Sequence, residues 1–68
     1  MTNYSNAIKA LRLKMLLTQE EFAKKLGVSF ATVNRWENDK YEPTLKAKRK
    51  LHKLFLKNGI NLEKSNEQ

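Results

Sequence analysis

The chain has 68 residues, 40% of them apolar, with 14 Lys and Arg against 7 Asp and Glu, one histidine and no cysteine. That is enough for one domain with a modest core, because short chains bury a smaller share of their surface. The missing thiols and the single His52 exclude a disulfide framework and a zinc or haem centre, while the net charge of +7 favours polyanionic partners.

The first helix is expected from Tyr4 or Ser5 to Met15, with Ile8, Leu11 and Met15 on one stripe and Ala7 and Ala10 extending it. Leu16 and Leu17 end it. Thr18-Gln19-Glu20-Glu21 then opens a second helix with a capping box, in which Thr18 and Glu21 satisfy each other's backbone N–H. Leu17 is placed to staple against Phe22, and Phe22, Ala23 and Leu26 supply the buried face. Gly27 can take the left-handed conformation that closes this helix.

Ser29 caps a third helix running to Glu37 or Asn38, with Val33 and Trp36 facing inward. Asn38-Asp39-Lys40 breaks the pattern, and Pro43 requires extended chain before it. A single fourth helix spans about Thr44 to Lys57, with Ala47, Leu51, Leu54 and Phe55 on one stripe and Lys46, Lys50, Lys53 and Lys57 on another. That lysine face suits flanking phosphates or simple solvation. Ile60 and Leu62 can fold back onto the core, whereas 63–68 reads as a frayed tail. The expected fold is all-α: a bundle of four to five short helices in one domain, residues 1–62.

Two helices joined by so short a link containing glycine cannot form an ordinary antiparallel pair; the pattern is a helix-turn-helix. Its second helix, supported through Val33 and Trp36, can put its outer side into a major groove about 12 Å wide. Phe30, Ala31, Asn34 and Arg35 make up that outer set, with Ser29 and Thr32 at the groove edge. Arg35 can donate twice to guanine, and Phe30 and Ala31 can touch a thymine methyl. Spacing alone also allows Phe30 to join the core, Arg35 to reach phosphate, and Asn34 to bond locally.

The run R-L-K-M-L-L-T-Q-E-E-F-A-K-K-L-G-V-S-F-A-T-V-N-R-W-E-N, Arg12 to Asn38, resembles the DNA-binding domain of Cro and C1-type phage repressors, the XRE family. The resemblance covers about residues 5–57 and implies a prokaryotic or phage transcriptional regulator, repressor-like, bound to double-stranded DNA. By matching position it implies a base-reading surface of Phe30, Ala31 and Arg35, to which the outward spacing of the helix adds Asn34 as a candidate base contact. It implies backbone contacts from Ser29, Thr32, Asn38 and Lys40, a place for Gln19 near the backbone or the first base pair, and an ion pair between Arg12 and Glu37. The chain departs from the family where glycine or a small or polar residue is usual at Leu16 and glycine is frequent at Asp39. A positive φ at Leu16 would be strained, and the alternative is a reshaped turn. Relatives in the family also divide the region after Pro43 into two helices and dimerise through a final element that has no obvious counterpart here, so both a monomer and a homodimer on a palindromic site stay open.

An enzyme lacks its parts: His52 has no plausible acid partner, and no glycine-rich phosphate loop exists. Neither a cofactor nor a small-molecule substrate is expected. The competing reading is a helix-turn-helix module for a protein partner, as in an antitoxin or adaptor, with Phe30 and Leu56 as anchors. A membrane partner is disfavoured, because the apolar stripe of the last helix is needed for the core. No apolar run approaches the roughly 20 residues of a membrane span, and no signal peptide is evident, so a cytoplasmic location is expected.

Overall fold

The computed structural model describes residues 4–62. It contains four helices, α1 (Tyr4–Lys14), α2 (Gln19–Leu26), α3 (Phe30–Glu37) and α4 (Leu45–Lys57), and no strand among the described residues. The anticipated tail lies outside those residues.

Three of the starts and all four stops have a local cause. Hydroxyl side chains cap three helices: Thr18 accepts from the Glu21 N–H, Ser29 from Thr32 and Thr44 from Ala47. At Thr18 the box is complete, since the Thr18 N–H also donates to Glu21 Oε1 at 2.9 Å. All four C-termini close in one way, with a left-handed residue followed by a residue whose N–H reaches back five positions. These bonds run from Leu17 to Arg12, Val28 to Ala23, Lys40 to Arg35 and Ile60 to Phe55, at 2.9 to 3.1 Å. The left-handed residues are Gly27 and Gly59, which tolerate it, and Leu16 and Asp39, both at φ 60°. Leu16 therefore takes the strained conformation and is 89% exposed, so no packing compensates for it.

The core draws on every helix: Ala7, Ile8 and Leu11 of α1, Phe22, Ala23 and Leu26 of α2, Val33 and Trp36 of α3, and Ala47, Leu51 and Phe55 of α4. Met15, Leu17, Leu54, Ile60 and Leu62 pack against its edge, so the chain after α4 does fold back. Ala10 does not extend the α1 stripe; it is exposed. The region after Pro43 is one helix, as its uninterrupted spacing predicts.

A second cluster ties the start of the chain to α4. The rings of Tyr4, His52 and Phe55 meet at centroid distances of 5.7 to 6.4 Å, and the Tyr4 hydroxyl lies 2.6 Å from His52 Nε2. Lys48 sits over the Tyr4 ring and also pairs with Glu42. The Tyr4 phenol is held above its ordinary value chiefly by burial, partly opposed by the Lys48 charge.

Candidate nucleic-acid interface

Between α2 and α3 lie only Gly27, Val28 and Ser29. Gly27 at φ 74° reverses the chain, and a Cβ there would meet nothing closer than Lys50 Nζ at 3.8 Å. Glycine is thus needed for its backbone conformation and not for space. Val28 anchors the turn on the core edge, and Ser29 restarts the helix.

Five of the eight residues of α3 divide between core and solvent, and Thr32, Asn34 and Glu37 are half-buried between them. Val33 is fully buried and Trp36 nearly so, whereas Phe30, Ala31 and Arg35 are exposed. Phe30, for which spacing left core and surface open, is 51% exposed. The Arg35 guanidinium lies 5.4 Å from the centre of the Tyr41 ring, close enough for a cation–π contact. At the N-terminal edge, the Ser29 and Thr32 hydroxyls are 2.9 Å apart and the Thr32 N–H donates to Ser29 Oγ. Asn38 and Lys40 are exposed just past the helix.

Gln19 and Asn34 are placed differently. Both are half-buried in a chain of hydrogen bonds that begins at an ion pair. Arg12 Nε and Nη2 donate to the two carboxylate oxygens of Glu37 at 2.7 and 3.0 Å, and Arg12 Nη1 donates to the Leu17 carbonyl at 3.1 Å. This bidentate pair holds the Arg12 pKa above its ordinary value. The Glu37 side chain is only 5% exposed. Gln19 Nε2 donates to Glu37 Oε1 at 3.0 Å, Asn34 Nδ2 to Gln19 Oε1 at 3.2 Å, and Asn38 Nδ2 to Asn34 Oδ1 at 3.0 Å.

A carboxylate can only accept, so Gln19 must turn its NH2 inward. Its carbonyl then requires the NH2 of Asn34, whose own carbonyl requires the NH2 of Asn38. One buried charge therefore fixes the orientation of three amides running outward along α3. Asn34 and Gln19 meet any ligand as members of this network, each with one N–H remaining.

Among the site residues expected from sequence, Phe30, Ala31 and Arg35 lie on the exposed side of α3 with Asn34 half-buried beside them, Ser29 and Thr32 lie at its N-terminal edge, Gln19 lies beside Asn34, and Asn38 and Lys40 lie at the far end. Tyr41 was not anticipated as part of this surface. It lies beyond the left-handed turn at Asp39, where helical spacing rules lapse, and an aromatic six positions after an exposed arginine was the one available signal.

The sequence matches a known family along most of its length: the helix-turn-helix family model covers residues 8–56. The chain belongs to the helix-turn-helix family. It is 45% identical over 58 residues to an uncharacterised HTH-type transcriptional regulator of Methanocaldococcus jannaschii, covering 85% of this chain and 83% of that one. Two uncharacterised HTH-type transcriptional regulators of Archaeoglobus fulgidus are 44% and 42% identical over 48 residues, covering 71% of this chain and 68% and 69% of theirs. No solved structure gives a significant match. As a helix-turn-helix protein, the chain has α2 as its supporting helix and α3 in the position of the recognition helix. No helix among the described residues is long and apolar enough to cross a membrane.

Proposed function

We infer that this helix-turn-helix protein is a transcriptional regulator that binds double-stranded DNA, acting in the cytoplasm with α3 in the major groove. The observation that carries the reading is the division of α3: Val33 and Trp36 lock one side into the core, leaving Phe30, Ala31 and Arg35 in solvent on the other. Family membership and the names of the archaeal relatives support the same reading.

In the complex, Arg35 donates its planar fork to a guanine edge, while Phe30 and Ala31 pack on a thymine methyl. Asn34 reads a base through the N–H that its bond to Gln19 leaves over. Ser29, Thr32, Gln19, Asn38 and Lys40 meet sugar and phosphate, which sets register without reading sequence. Tyr41 keeps the Arg35 side chain over its ring before binding, lowering the entropy lost on contact. A single module of this size buries about 600–1,000 Å² on DNA, so specific binding calls for a second copy on a half-site one helical turn away. The resemblance to phage repressors favours a repressor-like role.

The test is duplex affinity of Arg35→Ala with the fold confirmed by circular dichroism. Loss of one good base contact lowers affinity for the preferred duplex by roughly 10- to 100-fold and leaves random duplex nearly unaffected. Equal affinity of the variant and parent for every duplex would contradict the reading.

A further inference from the structure

On the part of the molecule built by α2 and α4, an open groove of about 560 Å³ runs between the end of α2 and the last turns of α4. No residue of α3 lines it. Its floor and wall are apolar: Leu26 is buried, Leu54 half-buried and Leu56 85% exposed. Its rim is Lys25, Lys50, Lys53 and Lys57, all exposed, with no carboxylate among the lining residues. Lys50 is a fixed part of that rim, since its Nζ donates to the Leu26 carbonyl at 3.0 Å and so closes one free end of α2.

We propose that this groove docks an acidic amphipathic helix of a partner protein, its apolar stripe on Leu26, Leu54 and Leu56 and its carboxylates on the four lysines. The volume suits a few aliphatic side chains from one helix face. Charge decides the occupant. A second copy of this chain carries +7 of its own toward a rim of four lysines. A phosphate backbone would satisfy the lysines but leave the leucines facing water. An acidic helix with a leucine stripe matches both parts. The same four lysines deny the groove to basic amphipathic helices. None of this requires α3 to bind DNA, and a partner held here leaves the recognition face free.

The probe is a fluorescein-labelled synthetic helix with leucines at i, i+4 and i+7 flanked by glutamates, compared with one whose leucines are serines and one whose glutamates are lysines. Titrated into the full chain, the acidic leucine helix is expected to shift amide resonances of Lys25, Leu26, Lys53, Leu54, Leu56 and Lys57, while both controls bind far more weakly. Leu56→Ser removes an exposed side chain with little cost to the fold and is expected to weaken probe binding about tenfold. Duplex affinity should stay within about twofold in the same variant, since Leu56 carries no charge. Lys53→Glu should weaken the acidic helix and strengthen the lysine helix. Equal binding of the serine control would reduce the groove to adventitious charge and overturn the proposal. So would perturbations centred on α3, a Leu56-dependent homodimer, which assigns the groove to a second copy, or a Leu56→Ser loss of duplex binding, which assigns it to DNA.

Discussion

The Arg12–Glu37 pair is the most demanding residue-level commitment in the fold, because two charges sit where side chains are 13% and 5% exposed. Removing one partner strands the other, so Arg12→Ala should destabilise the protein by about 3–5 kcal/mol in urea unfolding, a large share of what so small a domain has. Replacing both residues by methionine should recover much of that loss, although the Leu17 carbonyl and the Gln19 amide would then lack partners. A double variant no more stable than Arg12→Ala would mean that the pair acts mainly through those neighbours. Family resemblance implied this pair, but the amide chain leading from it was not legible. Hydrogen bonds among residues 12, 19, 34, 37 and 38 depend on how three helices come together, and no sequence pattern encodes that. Tyr4 contributes to the alkaline pH dependence, beside Lys48, whose bond to Glu42 raises its own pKa. Burial raises its phenol above 10.0, so the folded state favours the neutral form. That contribution is complete below 10.0 and is lost as pH rises through the folded value. Tyr4→Phe should therefore flatten the alkaline fall in stability, and an unchanged profile would place the titration elsewhere.

At the scale of the helices, the boundaries were the most readable part of the sequence. Thr18 and Ser29 cap where their spacing to the apolar stripes places them, Thr44 caps the helix that was expected to begin there, and Gly27 and Gly59 close helices in the left-handed conformation. Thr18→Ala should cost about 0.5–2 kcal/mol by thermal or urea unfolding, because it removes the hydroxyl that accepts from the Glu21 N–H while the backbone N–H of residue 18 still donates to the Glu21 carboxylate. The turn after α1 was legible only as a conflict. Leucine occupies a position that needs positive φ, and its resolution, a strained backbone with an exposed side chain, depended on tertiary geometry. Relieving left-handed strain is worth about 1–2 kcal/mol, offset by the greater freedom of glycine in the unfolded chain. Leu16→Gly should therefore raise stability by roughly 0.5–1 kcal/mol, a few degrees in melting temperature. A fall in melting temperature would show that the exposed leucine has a packing role. Ala10 shows the limit of stripe reasoning: an alanine fits a buried or an exposed position, so only its neighbours decide.

For the whole molecule, the proposed function divides the behaviour on DNA between the balance of charge and the outer face of α3. On the proposed reading, fourteen cations against seven acids make affinity steeply dependent on salt, whereas discrimination between sequences is expected from the outer face of α3 and should persist as salt rises. If two copies share a site, their half-sites will lie one helical turn apart and repeat inverted. The central claim is that this face reads duplex sequence, and it is tested most directly by selection from a randomised duplex library at two salt concentrations, with the parent chain and a folded Arg35→Ala variant side by side. The account predicts an enriched motif for the parent at both concentrations and the loss of at least one base from that motif in the variant. Binding that collapses at the higher salt with no sequence enriched at either would contradict it.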